Sequence, residues 1–496
     1  MKRLRAALAL ALAACGFDAC AGAHVSSHVF LVQNSGWMEP FYTDPASQYK
    51  PLIGALAASV TQPGDLMVLA AFNQSQPGAP SPRALLSAKV DKGTDAQVAR
   101  ALADLTTAQK GSGALADTDL GEAVSAAINT ALGGQPGLIW LVTNNRNSPN
   151  NDLQTARRNR EFYQLIHEGA AIRTALAFPL QMPVKGAHYQ ANGLMLYVFA
   201  VGDQGARDLA ALLATGRIAR VITEPPARLK PLDRDTVRLV PRRVDEAPGV
   251  GFSIAPNGML RADVDARART PQAKIAWQLE NVIYPYTIAN AAVTARSQLG
   301  GEERAVLLAS GKVSKLAPGA SLPLQSTVQL PVAELPGAWS MKAIASAGSA
   351  YVLPGRIELQ LTGQRLELSQ AFRQRMAALF PGDPLPEIFT PPAQIAASTA
   401  RLPVEVRVHY GVGPLVALIG ASLVLLGAAG AAALAAARPR KALVTVEDEL
   451  RTMHTRAGST QPIFDKAGNR VAQLKTTLFG HRLIDLREGA QVRLGR

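Results

Sequence analysis

In the first half of the chain, apolar residues come in short unbroken runs separated by amphipathic stretches. Val29 to Gln33, Leu66 to Phe72, Leu138 to Thr143, Ile172 to Phe178 and Leu194 to Val201 are runs of the length and composition of strands buried on both faces. The stretches between them have helical character. Pro51 to Val60 is rich in Ala and Leu, and Asp152 to Glu168 is charged and amphipathic, while Ala206 to Leu213 closes the region. Asp119 to Leu132 carries Asp119 and Glu122 in its first turn and Gly133-Gly134 at its end, the signals of a helix start and stop. Strands alternating with helices predict an α/β domain over residues 24–224, a parallel or mixed sheet covered on both sides.

The pattern then changes. Across 228–362, short runs alternate apolar and polar residues between Pro and Gly turns: Lys274 to Leu279, Ala305 to Ala309, Ser326 to Leu330, Trp339 to Ser346 and Ile357 to Leu361. That spacing predicts an all-β sandwich, with Trp277 and Trp339 as core anchors. Residues 363–411 read as a helix, Leu366 to Phe380, then a Pro/Ala/Thr-rich linker, then a strand at Val404 to Val408. Val412 to Ala437 has no charge in 26 residues. At about 1.5 Å per residue this is enough to cross a hydrocarbon core of about 30 Å. Gly413, Gly420 and Gly427 recur every seven residues on one face of it. Such small residues let a second helix approach, in a homodimer or with a partner, although an Ala/Gly-rich span also shows this spacing by chance. In the tail, 438–496, Leu443 to Met453 reads as a short amphipathic helix, with strands at Val471 to Leu474 and Leu483 to Leu494.

Charge and cysteines place these parts. The N-terminus has basic residues at Lys2, Arg3 and Arg5, then the apolar run Ala6 to Ala14, so 1–23 reads as a signal peptide. Its small residues around Cys20 suit ordinary cleavage, while Leu12-Ala13-Ala14-Cys15 resembles a lipobox. Both cysteines lie in this leader, which leaves the rest of the chain without a disulfide or thiol chemistry. Arg438, Arg440 and Lys441 directly follow the apolar run and would stay cytoplasmic. The expectation is a single-pass protein of a bacterial inner membrane, in contact with lipid through that helix, its N-terminal domains periplasmic and its tail cytoplasmic. Net charge is +14, and the tail contributes 12 Lys/Arg against 6 Asp/Glu. No basic cluster is interleaved with aromatics, so no nucleic-acid partner is expected.

Three segments carry a family resemblance. Val29-Phe30-Leu31-Val32-Gln33-Asn34-Ser35-Gly36-Trp37-Met38 resembles the first strand and loop of von Willebrand factor A (vWA) domains, which end in D-x-S-x-S. Thr118-Asp119-Leu120-Gly121 resembles their second loop, and Leu141-Val142-Thr143-Asn144-Asn145-Arg146 their third, usually L-x-T-D-G. The resemblance implies a vWA/Rossmann-like doubly wound sheet whose three loops meet at one edge, where the family holds a divalent cation. Here Gln33 and Asn144 replace two aspartates and Trp37 replaces a serine. Only Ser35 and Thr118, with Asp119 beside them, remain as candidate magnesium ligands, and a hard cation wants anionic oxygens. The metal-free alternative is a recognition edge made of Gln33, Asn34, Ser35, Trp37, Thr118, Asp119, Asn144 and Asn145, facing a protein of the envelope. A decayed site on a mere scaffold is the third reading. The sandwich resembles immunoglobulin-like envelope domains at Pro336-Gly337-Ala338-Trp339-Ser340, a would-be closing hairpin. The chain's end, from Ile484, resembles the opening strands of a forkhead-associated domain, and no phosphopeptide function is carried over from it.

No nucleophile elbow, H-E-x-x-H or phosphate-binding loop is present. His24 and His28, four apart in a strand, do not form a zinc pair. A non-enzyme is expected. An envelope enzyme with a site between the two exported domains is the alternative from another class.

Overall fold

The structure is a computed structural model. It describes residues 24–147, 153–245, 248–256, 258–265, 272–299, 301–330, 335–382, 386–392, 395 and 397–495. The leader, with Cys15 and Cys20, lies outside the described residues. The chain divides into two compact units. The first holds an α/β part and a large sheet as far as Val406. The second takes the chain from Arg407 onward, together with the segment ending at Val352.

The α/β part is built on seven strands: β1 (Ser27–Gln33), β2 (Leu66–Phe72), β3 (Arg83–Lys89), β4 (Gly137–Thr143), β5 (Ile172–Lys185), β6 (Gln190–Val201) and β7 (Ala227–Lys230). Their order is β3-β2-β1-β4-β6-β5-β7. β1 pairs in parallel with β2 and β4, and the remaining pairs are antiparallel, so the sheet is mixed. The unbroken apolar runs have a simple cause. Along β1, Phe30 and Val32 join one buried cluster and Val29 and Leu31 the other; β4 divides Trp140 and Val142 from Ile139 and Leu141 in the same way. A strand covered on both faces has no polar face to show.

Helices provide the covers. On one face lie α1 (Tyr49–Val60), α2 (Thr94–Ala103) and α5 (Gly202–Ala214). On the other lie α3 (Leu120–Ala126) and α4 (Leu153–His167). Because β1 leads to α1 on one face and β4 to α4 on the other, their connections diverge. A crevice opens at the ends of these neighbouring strands, the usual ligand position in open α/β sheets.

The second region is all-β: β8 (Val237–Val244), β9 (Val250–Ile254), β10 (Leu260–Asp265), β11 (Gln272–Asn281), β12 (Tyr286–Leu299), β13 (Glu302–Leu308), β14 (Lys312–Leu316), β15 (Ser321–Gln329), β16 (Ala350–Leu368) and β17 (Ser398–His409). They form one path, β8-β11-β15-β13-β12-β16-β17-β10-β9, with β14 beside β12. β13 pairs with β12 through its first half and with β15 through Leu307 and Leu308. Alternate residues of β11 and β12 are buried, so one face of each strand is covered. Trp277 is buried and donates to Ser326 Oγ at 2.6 Å.

Several sequence expectations are corrected here. Trp339 to Ser346 is not a strand and Pro336 to Ser340 is no closing hairpin. Ser340 caps a short helix, α6 (Met341–Ala345), by accepting from Ala343 N, and Trp339 is 69% exposed rather than a core anchor. β16 runs on through Leu368, so the next helix, α7 (Gln370–Leu379), starts only after its cap Ser369. β17 takes up the end of the expected linker and lies between β16 and β10. The runs β3 and α2, absent from the sequence reading, are largely exposed strand and helix at the sheet's edge.

In the second unit, α8 (Gly413–Ala437) is a single apolar helix with a mean hydropathy of 2.3 over its best 18-residue window, and none of that window is buried. The tail beyond it is all-β: β18 (Arg440–Val446), β19 (Glu449–Thr455), β20 (Thr460–Phe464), β21 (Arg470–Thr477), β22 (Gly480–Ile484) and β23 (Val492–Leu494) form two three-stranded sheets. The helix expected over Leu443 to Met453 is therefore a hairpin. Glu447 and Asp448 turn it with φ of 47° and 68°, a left-handed pair that suits a two-residue hairpin and stops a helix.

Candidate functional site

Gln33 is the last residue of β1 and is fully buried. Its amide nitrogen donates to Ser35 Oγ at 2.7 Å and to Thr118 Oγ1 at 2.9 Å. Its amide oxygen accepts from Thr143 Oγ1 at 2.5 Å and from the backbone N–H of Asn144 at 3.0 Å. Two protons and two lone pairs are thus all used. The Asn144 N–H can only donate, which fixes the amide's orientation. Ser35 Oγ and Thr118 Oγ1 lie 2.6 Å apart, and Thr143 Oγ1 accepts from Asn145 N at 3.0 Å. Asn145, with φ of 65°, accepts from Tyr197 OH at 2.5 Å. The three loops therefore meet, as expected, and the group at their centre is an amide.

Around this plug the remaining expected residues separate. Asn34 points away, donating to Thr106 O at 3.2 Å and accepting from Asn73 Nδ2. Asp119 caps α3 by accepting from Glu122 N at 2.9 Å and faces Arg158 at 3.4 Å. Burial raises the Asp119 carboxyl above its usual range, against the pull of the Glu122 N–H and Arg158. Asn144 Nδ2 donates to Trp37 O at 2.9 Å, tying the third loop to the first. Gly36 lets the first loop lie flat on its neighbour, since a Cβ there would fall 2.6 Å from Leu115 Cβ.

These residues do not fit a divalent cation. The two hydroxyls that would be ligands already accept from an amide N–H, which cannot itself coordinate a metal. Asp119 is committed to its helix and to Arg158. Glu39 is held by the N–H groups of Ala187, His188 and Tyr189 at 2.8, 3.3 and 3.4 Å. Burial pushes the Glu39 carboxyl up, and these donors with Thr43 bring it to a net value below the ordinary one. That loop can close on Glu39 because residue 186 is glycine: a Cβ would fall 2.1 Å from Glu39 Oε2. Among the described residues, no group of three or more His, Cys, Asp or Glu is arranged to hold a metal.

The outer rim is aromatic and cationic. The Arg146 guanidinium lies 4.6 Å from the centre of the Trp37 ring, and Tyr189 packs on the same ring at 4.5 Å. A cavity of about 60 Å³ opens beside them, lined among others by Asn144, Asn192 and Phe380. Trp37 Nε1 is buried and has no hydrogen-bond partner among the described residues. Arg146, Thr143, Tyr189 and Tyr197 were not singled out from sequence. The first two stood inside the third-loop motif and could have been; the two tyrosines come from β6 and the loop before it, and nothing local marks them.

At the opposite end of β1, His24 and His28 face different carboxylates. They line a cavity of about 200 Å³ with Asp65, Asp208 and Arg217. His24 Nε2 is 3.1 Å from Asp208, and His28 Nε2 is 3.7 Å from Asp65. Along α8, a Cβ at Gly413, Gly420 or Gly427 would meet nothing within 4 Å, so that face is open.

No family model matches the chain. No curated protein matches it. Among solved structures, it is similar to CfaE, the adhesive subunit of the CFA/I fimbria of enterotoxigenic Escherichia coli. The identity is 10%, over 48% of this chain and 73% of that one, and the TM-score of 0.10 leaves the likeness without weight for fold or function.

Proposed function

We propose that this chain is a membrane-anchored interaction protein of the bacterial envelope. In this reading α8 crosses the inner membrane, the first unit faces the periplasm and the tail faces the cytoplasm. The α/β part is a degenerate vWA-like domain that binds an envelope protein at the loop edge without a metal. One observation carries the reading. The Gln33 amide fills the centre of the three loops and satisfies their hydroxyls, so the edge is rigid without a cation. A buried polar network with every member paired defines a single loop arrangement. Above it, Trp37, Arg146 and Tyr189 are the residue types that dominate protein-recognition hot spots. Arg146 is a cationic donor at this rim, so the partner group that suits it is an acceptor, such as a carboxylate or an exposed carbonyl.

The test is capture of partners from envelope extract by the full chain in detergent, in magnesium and in EDTA, beside a Trp37→Ala, Asn144→Ala variant of matched melting temperature. The expected result is a protein retained in EDTA and lost with the variant. Loss in EDTA would instead support the magnesium-dependent alternative. Retention by the variant would remove the loop edge from the reading.

A further inference from the structure

The tail's second hairpin ends in an apolar tip that its own fold does not require. Thr477 pairs with Gly480, so β21 and β22 are joined by two residues alone, Leu478 and Phe479. Two-residue loops favour Asn, Asp or Gly, whose backbones suit the turn. Neither Leu478 nor Phe479 is of that kind, and neither has a positive φ. Nor do they serve the tail's core, which consists of residues such as Val444, Ile463 and Leu474. Phe479 is 100% exposed and Leu478 56%.

The position of the tip says what covers it. Arg440 Nη1 donates to the carbonyl of Leu478 at 2.9 Å. Arg440 is three residues beyond Ala437, the end of α8, so at most about 11 Å of chain separates it from the apolar helix. The surroundings are basic. Arg438, Arg440 and Lys441 follow the helix, and Lys475 faces Arg482 across the hairpin. No acidic residue occurs in 438–446 or in 470–484. An apolar tip ringed by cations, beside the end of an apolar helix, matches the boundary between acyl chains and anionic headgroups.

We propose that Leu478 and Phe479 insert into the membrane interface next to α8, with the surrounding Arg and Lys on anionic headgroups. The tail domain is thereby held against the bilayer by two points, the helix and the hairpin. The inference rests on the reading that α8 spans the membrane.

The experiment uses the full chain with Cys15→Ser and Cys20→Ser, reconstituted in vesicles of phosphatidylcholine and phosphatidylglycerol. A fluorophore is placed by Phe479→Cys, by Val424→Cys within α8, or by Ala467→Cys, an exposed turn residue at the other end of β21. Lipids carry a quencher either just below the headgroup or at mid-bilayer. The expected result is loss of fluorescence at 479 with the shallow quencher, loss at 424 with the deep one, and none at 467. Fluorescence at 479 that ignores both lipids while 424 is quenched would overturn the inference and leave the spanning helix standing. Indifference at 424 as well would overturn both. Shielding of 479 that grows only with protein concentration would assign the tip to a second copy and overturn the membrane contact.

Discussion

His28 sits at the start of β1, at the other end of the strand from Gln33, with its ring nearly parallel to those of Phe30 and Trp140, whose centres lie 6.3 and 6.2 Å away. Its Nδ1 accepts from Trp140 Nε1 at 3.2 Å, so the fold uses the neutral ring. Burial lowers its pKa from 6.5 to about 4, and nearby Asp65 and Asp208 only partly oppose this. The unfolded chain therefore binds a proton at a higher pH than the folded one. The contribution of His28 to stability is undiminished above pH 6.5, falls as the pH drops toward 4, and levels off below that. The total loss is on the order of 3 kcal/mol. Melting temperature against pH, for the wild type and a His28→Gln variant that keeps an acceptor for Trp140, checks this. The variant's curve should be flatter between pH 6.5 and 4, and an identical slope would assign the acid sensitivity to other groups.

Among the elements, α3 tests whether the second loop is a ligand loop or a cap. Its first residue follows Asp119, whose carboxylate accepts from Glu122 N. Losing such a cap costs about 1 kcal/mol. Asp119→Ala should lower the melting temperature by the same few degrees in magnesium and in EDTA. A penalty confined to magnesium would restore Asp119 as a cation ligand. The sequence signals that placed α3, β1 and β4 are local: capping residues and unbroken apolar runs. The failures at this scale are also instructive. Leu443 to Met453 has an apolar spacing that a helix could use, but the Glu447-Asp448 turn lets β18 and β19 pair instead. At Trp339 the alternation of large and small residues imitates a strand, while the Ser340 cap starts α6.

Taken as a whole, the first unit does not follow chain order. Phe372 and Leu379 of α7, with Phe380, Ile388 and Phe389, join the same buried cluster as Leu31, Phe162 and Tyr197. The polypeptide leaves the α/β part, builds the large sheet, and returns to cover one face of the first. A chain cut after Glu224 would expose that face. It should bind a hydrophobic dye and aggregate where the full chain in detergent does not. A monodisperse fragment with the melting temperature of the full chain would show that the returning segment is dispensable.

The sequence by itself determined what is set by neighbours along the chain. The runs of β1, β2, β4, β5 and β6, the helices α1, α3, α4 and α5, and the long apolar helix are all legible because periodicity and capping act over a few residues. It also determined which three loops carry the candidate site. The tertiary structure alone decided what that site is. Gln33 meets Thr118 and Thr143 across 85 and 110 positions of chain, and Tyr197 closes on Asn145 from a strand inserted beside β4. Whether a buried amide is an orphan or the centre of a saturated network depends on groups that only the folded sheet brings together. A polar side chain is costly or useful according to its partners in space, and sequence order does not supply them.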